Sequence, residues 1–131
     1  MRGLVNYYGR VKVLIVEDEP LVARYASAAL EEKGFSPTCT ASGTHALDLL
    51  ATTAIAVSFI DIGLPDMRGD DLVRTLRQMD SSHPILICTG FDAAKYRAMF
   101  AADALIRVLQ KPFTQLELLA GLYSLGIQAS A

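Results

Sequence analysis

Apolar and polar positions divide the chain into two kinds of segment that follow one another in regular succession. Short runs rich in β-branched residues predict buried strands, and apolar residues that recur every three or four positions predict helices. The predicted strands are 11–16, 35–40, 57–61, 85–88 and 105–109. Two of the predicted helices have bounds at both ends, 20–33 and 93–101. Of the other three, one begins after a cap at Ser42 or Thr44, one is marked by Leu72 to Met79, and one begins after Thr114.

Strands that alternate with helices predict an α/β fold. Because the crossover between parallel strands is right-handed, successive helices cover both faces of the sheet. The small arrangement of this kind is a flavodoxin-like, doubly wound five-stranded parallel sheet in the order 2-1-3-4-5. Pro37 cannot donate a backbone hydrogen bond, so it predicts an edge position for the second strand.

Composition and charge narrow the class of protein. The 131 residues fit one domain, and a hydrophobic content of 52% with a mean hydropathy of +0.32 predicts a packed core. The formal net charge is -2 and no basic run is present, so we expect no direct nucleic-acid partner. No stretch is long enough for a membrane span or a signal peptide, so we expect a cytoplasmic protein without a membrane partner.

Three divisions of the chain follow from these patterns. We expect an N-terminal arm or linker at 1–10, a folded domain at 11–127 and a C-terminal tail at 128–131.

Cys39 and Cys88 lie far apart without metal-ligand spacing, so we expect core thiols of a reducing compartment. His45 and His83 also lack a partner at such spacing, and we expect them at the surface or at helix caps.

The third strand runs directly into an acid, Asp61, before Gly63 and Pro65 end it. An aspartate there is equally typical of an ordinary turn. In the order 2-1-3-4-5, however, strands one and three are neighbours, so Glu17 and Asp18 at the end of strand one converge on Asp61. Adjacent carboxylates repel one another unless a cation shares their charge, and carboxylate oxygens are the ligands that Mg²⁺ prefers. The sequence therefore predicts a Mg²⁺ site at this crevice.

Two further strand ends add complementary groups to the same crevice. Strand four ends in Thr89, a hydroxyl donor, and strand five ends at Lys111, a positive charge. A metal, an ammonium and a hydroxyl together suit a phosphoryl group, whose oxygens each need a partner. Asp61 is the candidate nucleophile, because a carboxylate can accept a phosphoryl group as an acyl phosphate.

Four motifs resemble those of one known family, the receiver domains of two-component response regulators. They are VLIVEDEP at 13–20, IDIGLPDMRG at 60–69, ICTG at 87–90 and QKPF at 110–113, in the family's order and spacing. The resemblance covers 11–127. It implies a signalling switch that receives a phosphoryl group and is not expected to turn over a substrate.

The resemblance also implies roles for individual residues. Asp61 resembles the phosphoacceptor, Thr89 the switch hydroxyl and Lys111 the lysine that contacts the phosphoryl group. Glu17 and Asp18 resemble the acidic pair that holds Mg²⁺, with Asp61 and the backbone carbonyl of Gly63 as further ligands. The family pattern also implies a cis bond between Lys111 and Pro112.

The implied partners are a histidine kinase or histidine phosphotransfer protein that donates the phosphoryl group, and a downstream protein that reads the change. Two interpretations fit the apolar residues Tyr96, Met99, Phe100 and Ile106. They are ordinary core residues, or a good share of them form an exposed apolar patch on the face around helix four, strand five and helix five, where the downstream protein would bind.

Two positions depart from the family pattern. Val108 stands three residues before the lysine, where the family usually has Tyr or Phe, so the usual coupling between the switch hydroxyl and an aromatic ring is missing. Gly63 has no side chain to position an attacking water, which predicts slow self-dephosphorylation.

Three alternative functions remain open. The Val108 departure motivates a receiver-like interaction module that signals without phosphorylation. A phosphohydrolase with an aspartate nucleophile would need a second acid where Gly63 stands. A flavin-binding protein would need a Ser/Thr-rich phosphate loop after the first strand, and the acidic stretch from Glu17 to Glu19 stands there instead.

Overall fold

The computed structural model describes residues 2–129, so residue 1 and residues 130 and 131 of the expected tail lie outside the described residues. Five strands form one parallel sheet in the order β2-β1-β3-β4-β5. This confirms the predicted fold class. The strands are β1 (Val11–Val16), β2 (Phe35–Thr40), β3 (Val57–Asp61), β4 (Ile85–Thr89) and β5 (Ile106–Gln110). The helices are α1 (Pro20–Glu32), α2 (Gly43–Thr52), α3 (Gly69–Met79), α4 (Ala93–Met99) and α5 (Gln115–Ser124).

The predicted boundaries differ from the observed ones by a few residues. Helix α3 begins at Gly69, earlier than its first apolar marker, because Asp70 and Asp71 form a polar first turn. Helix α4 ends at Met99, two residues before the predicted end. Pro37 lies in β2 at the edge of the sheet, as predicted.

Local sequence explains how the helices begin. Ser42 caps α2 by accepting a hydrogen bond from the His45 amide, and Thr114 caps α5 in a reciprocal pair with Glu117. Pro20 occupies the first turn of α1, where its missing amide hydrogen has no helical partner to lose.

Two hydrophobic cores lie on opposite faces of the sheet. Alternate residues of β1 point to opposite faces, so Val13 and Ile15 pack under α1 and α5 while Leu14 and Val16 pack under α2 and α3. Every residue of β3 and β4 is buried. Continuous apolar runs in the sequence are the expected result when both faces of a sheet are covered.

The segment 2–10 lies against the domain. Val5 pairs with Val11 in an antiparallel bridge, and the Asn6 side chain accepts hydrogen bonds from the amides of Tyr8 and Arg10 at 3.0 and 2.9 Å. Gly3 approaches the segment that follows α2 so closely that an added Cβ would stand 2.7 Å from the Cβ of Ala54.

The two cysteines differ in environment. Cys88 is buried, as predicted, and burial raises the pKa of its thiol to about 12. Cys39 is exposed, so its assignment to the core is wrong. The reason is that β2 is an edge strand, whose central residues remain accessible.

None of the helices described between residues 2 and 129 is long and apolar enough to cross a lipid bilayer.

His83 is buried, which corrects its predicted surface position, and it makes stability depend on pH. The Nε2 atom of His83 lies 2.8 Å from Ser58 Oγ. Burial lowers the pKa of His83 from 6.5 to about 4. The charge of Asp80 opposes this shift and the charge of Arg77 reinforces it. The unfolded chain binds the proton at higher pH than the folded protein, so stability is complete above pH 6.5 and falls as pH drops toward 4.

Because of this histidine, we expect the unfolding free energy to fall by about 2 kcal/mol when the pH is lowered from about 7.5 to about 4.5. Urea unfolding at both pH values measures the loss. His83→Gln keeps a hydrogen-bonding side chain without a titrating group, so it should lose correspondingly less stability. Equal losses in the two proteins would contradict this prediction.

Candidate functional site

The polar residues predicted at the strand ends meet at one edge of the sheet. Asp61 is the last residue of β3 and Thr89 the last of β4, while Glu17 follows β1 and Lys111 follows β5. Parallel pairing places the carboxyl ends of these neighbouring strands side by side. Four separate stretches of sequence therefore contribute to one crevice.

Three carboxylates form a cluster at this crevice. One oxygen from each of Glu17, Asp18 and Asp61 can be chosen so that all three lie within 4.8 Å of one another. Glu17 is 3% exposed and Asp61 5% exposed. Little water reaches the Glu17 and Asp61 carboxylates, so the repulsion between these two is only weakly screened.

Lys111 supplies the positive charge that faces this cluster. Its Nζ lies 2.8 Å from Glu17 Oε1 and 3.1 Å from Asp61 Oδ1. Burial alone would lower the pKa of Lys111, but the hydrogen bonds and charges of Glu17 and Asp61 outweigh burial and raise it above its ordinary value. The ammonium therefore stays charged throughout the physiological pH range.

The cluster fits a hard divalent cation. Burial raises the pKa of Glu17, and the neighbouring Lys111 ammonium and the hydrogen bond from the Glu19 amide only partly oppose this shift. Glu17 Oε1 is buried without a hydrogen bond of good geometry, although the Lys111 ammonium lies beside it. Three carboxylates facing one ammonium leave excess negative charge, which oxygen-bound Mg²⁺ would balance.

The Thr89 hydroxyl is engaged by the loop that follows β4. Its Oγ1 donates to the carbonyl oxygen of Phe91 and accepts from the Phe91 amide at 3.2 Å. A pocket of about 290 Å³, named here the Asp61 pocket, opens beside this loop. The residues that line it are Glu19, Asp61, Ile62, Gly63, Thr89, Gly90, Phe91, Asp92, Tyr96 and Lys111.

Gly69 allows the chain after Asp61 to pass close behind it. A Cβ added at Gly69 would stand 2.3 Å from the backbone oxygen of Asp61, and the Gly69 amide donates to the Ile62 carbonyl at 2.8 Å. At Gly63 an added Cβ would face Asp61 Oδ2 at 3.7 Å. The glycine at 69 is therefore required for space, whereas the glycine at 63 leaves the carboxylate without a side-chain neighbour from that position.

Gly69→Ala is expected to lower the unfolding free energy by about 2 kcal/mol, because the clash is with backbone that cannot rotate away. Urea denaturation measures the loss. Gly90→Ala is the matched control, since nothing lies within 4 Å of a Cβ added there. Similar losses in both variants would contradict the steric explanation.

Sequence reasoning missed the polar anchors of the loop between β3 and α3. The Asp66 carboxylate accepts from the amides of Gly43 and Thr44, both at 2.9 Å, and from Thr44 Oγ1 at 2.8 Å. The Thr44 and Gly43 hydrogen bonds lower the pKa of Asp66 to about 2. These contacts join residues more than twenty positions apart, so no local pattern could reveal them.

A second missed anchor lies at the other end of the same loop. The Arg68 guanidinium donates to Asp70 Oδ1 at 3.0 Å and to the Tyr96 hydroxyl at 3.3 Å. Asp70 is 4% exposed, and its other oxygen accepts from Arg74 at 3.1 Å. The only available signal was the charge pattern of the first turn of α3, which also fits an exposed helix.

Of the two interpretations of the apolar residues around α4 and β5, the structure favours ordinary core for most of them. Tyr96 and Ile106 are each 5% exposed, and Phe100 is half-buried, whereas Met99 is 38% exposed. The core interpretation therefore holds for Tyr96 and Ile106, and Phe100 packs against the same core as Ile106. The bond between Lys111 and Pro112 is cis, as the resemblance implied.

The sequence matches the profile described as "Response regulator receiver domain" over residues 13–123. The chain belongs to the response regulator receiver family. The chemotaxis response regulator CheY4 of Vibrio cholerae has a similar structure, with a TM-score of 0.80 and 26% identity, covering 88% of this chain and 98% of that one. The α/β sheet described above is thus the receiver fold.

Two curated relatives of this receiver domain are transcriptional regulators. The transcriptional regulatory protein CusR of Escherichia coli is 36% identical over 84% of this chain and 48% of its own length. The uncharacterized transcriptional regulatory protein YkoG of Bacillus subtilis is 34% identical over 82% of this chain and 47% of its own length. The receiver chain thus spans about half the length of the curated relatives it matches.

These relatives overturn the expectation of a protein without a nucleic-acid partner. That prediction is wrong because it was drawn from the net charge of a chain that spans only about half of proteins named as transcriptional regulators. The charge of one domain determines the electrostatics of that domain's surface, and it does not constrain what the rest of a longer regulator binds.

Proposed function

We propose that this receiver domain is a phosphoryl-accepting switch in which Asp61 takes a phosphoryl group from a phosphohistidine of a kinase or phosphotransfer protein. The observation that supports this most directly is the position of the Lys111 ammonium, 3.1 Å from Asp61 Oδ1 within the acidic cluster. A charged donor at that distance can hold an oxygen of a phosphoryl group bonded to Asp61.

In the proposed step a carboxylate oxygen of Asp61 attacks phosphorus. The new oxygen–phosphorus bond forms as the phosphorus–nitrogen bond of the phosphohistidine breaks, and the imidazole leaves with the electron pair and then takes a proton from solvent. The product is an aspartyl phosphate. The domain accepts the group in one event and is not proposed to turn over a substrate.

Glu17, Asp18 and Asp61 are the residues proposed to hold Mg²⁺, with the backbone carbonyl of Gly63 as a further ligand. When bound, Mg²⁺ supplies positive charge that stabilises the phosphoryl oxygens and relieves repulsion among the carboxylates. The unbalanced charge around buried Glu17 supports this assignment.

Thr89 is proposed to change partners after transfer. Its hydroxyl donates to the Phe91 carbonyl in the structure described here. A phosphoryl group on Asp61 adds roughly -1.5 to -2 charge and three strong acceptors, which compete for this hydroxyl. Release of Phe91 would then let the loop that leads into α4 adopt a second conformation.

Intact-mass measurement with acetyl phosphate tests the proposal. We expect the protein to gain the mass of one phosphoryl group when Mg²⁺ is present, and to gain none when the divalent ion is removed with EDTA. A mass that never increases in either condition would instead favour an interaction module that works without phosphorylation.

A further inference from the structure

Tyr96 separates two neighbouring hollows on the surface of the domain. One is the Asp61 pocket. The other, named here the α4–β5 groove, is a hollow of about 210 Å³ that Phe100, Ile106 and Val108 also line. Because Tyr96 is 5% exposed and lines both hollows, a displacement of this residue changes the shape of both.

The phenol of Tyr96 is fixed from the loop between β3 and α3. Arg68 Nη2 donates to the Tyr96 hydroxyl at 3.3 Å, while Arg68 Nε pairs with Asp70 at 3.0 Å. Since the Asp70 carboxylate is buried, it holds the guanidinium in place. Helix α4 is therefore tied to the loop that follows Asp61.

The start of α4 is the part of the helix nearest to Thr89 along the chain, so a rearrangement at Thr89 affects it first. Asp92, the residue before the helix, has a φ of 56°, a left-handed conformation that few residues other than Gly adopt. No side chain caps this helix start. Tyr96 follows within the first turn and its amide donates to the Asp92 carbonyl, so a shift of Asp92 moves the tyrosine.

We propose that Tyr96, held by Arg68, is the positioning residue that carries a charge change at Asp61 to the α4–β5 groove, in place of the aromatic ring that Val108 lacks. This inference rests on the proposed function. Movement of Thr89 toward a phosphoryl group releases the Phe91 carbonyl, the start of α4 shifts, and the Tyr96 ring moves relative to Arg68 and Val108. The hydrogen bond to Arg68 stabilises the arrangement without a phosphoryl group.

Hydrogen exchange measured by mass spectrometry, with Mg²⁺ alone and with Mg²⁺ plus beryllofluoride as the phosphoryl mimic, tests this inference. In the parent we expect beryllofluoride to change exchange in the 89–92 loop, in α4 and in β5. Tyr96→Phe removes only the hydroxyl, so α4 should exchange about fivefold faster before the mimic is added, as expected for one lost hydrogen bond. Its β5 response should be smaller, while the loop response is kept.

Arg68→Gln removes the same hydrogen bond together with the Asp70 pair, so its β5 response should also be smaller than the parent's. The double variant should reduce the β5 response no further, because both changes break the same contact to Tyr96. Tyr96→Ala should abolish the β5 response. If Tyr96→Ala does not fold, the two conservative variants and their combination decide the question. The matched control is Tyr123→Phe in α5, whose side chain is 60% exposed and which should behave as the parent.

The possible failures are distinguishable. An unchanged β5 response in Tyr96→Phe and Arg68→Gln, with a normal loop response, overturns the role of Tyr96 and leaves the proposed function intact. Additive effects of the two substitutions also overturn the proposed contact. A parent protein that shows no response to beryllofluoride anywhere overturns the proposed function, and this inference with it.

Discussion

Asp61→Asn is expected to abolish the mass gain from acetyl phosphate completely. The amide nitrogen and oxygen of asparagine cannot form the acyl phosphate, whereas the volume and position of the side chain at the end of β3 stay the same. The variant should remain folded, because the substitution also removes one charge from a cluster in which three carboxylates lie within 4.8 Å. Intact-mass analysis in the presence of Mg²⁺ gives the result directly.

Asp71→Asn is the matched control for this substitution. Asp71 lies on α3 with its side chain 60% exposed, pairs with Arg74, and is not among the residues that line the Asp61 pocket. This variant should gain the phosphoryl mass as the parent does. Phosphorylation of Asp61→Asn to the parent's extent would place the acceptor on another residue, and loss of labelling in both variants would point to a nonspecific effect.

Lys111→Met is expected to lower the unfolding free energy by about 3 kcal/mol when no divalent ion is present, since it leaves buried carboxylates without their positive partner. Methionine preserves most of the side-chain volume, so the loss reports charge more than packing. Glu17 and Asp61 are the two groups left unpaired, and Glu17 is 3% exposed.

Urea unfolding with EDTA and with Mg²⁺ measures this effect. Mg²⁺ should restore part of the lost stability, because a cation bound to the same carboxylates stabilises the folded state by mass action. Lys33→Met, at an exposed position after α1, is the control and should change stability little in either solution. A Lys111→Met protein as stable as the parent without divalent ions would contradict the charge balance proposed for the crevice.

The structure brings the residues predicted at the crevice together because each of them lies at, or directly after, the carboxyl end of a strand. Asp61, Thr89 and Lys111 stand at or just after β3, β4 and β5, and parallel pairing fixes where such ends lie. The sequence pattern was sufficient here since strand order and strand ends determine the site. No long-range side-chain contact had to be known in advance.

The errors have two physical origins. Cys39 and His83 were assigned to the wrong environment, and Tyr96 was left open between core and surface. The reason is that exposure depends on which elements cover a side chain, and residue type carries little of that information. The exclusion of a nucleic-acid partner failed for a different reason, since the charge of one domain says nothing about other parts of a regulator.

The amino-acid sequence by itself determined the order of strands and helices, the α/β class and the set of residues that meet at Asp61, because hydrophobic periodicity and parallel pairing act locally and predictably. Only the tertiary structure decided how Lys111 is shared between Glu17 and Asp61, where the Thr89 hydroxyl points, and that Arg68 reaches Tyr96. Those contacts depend on side-chain directions and on distances between elements remote in sequence, which no local pattern specifies.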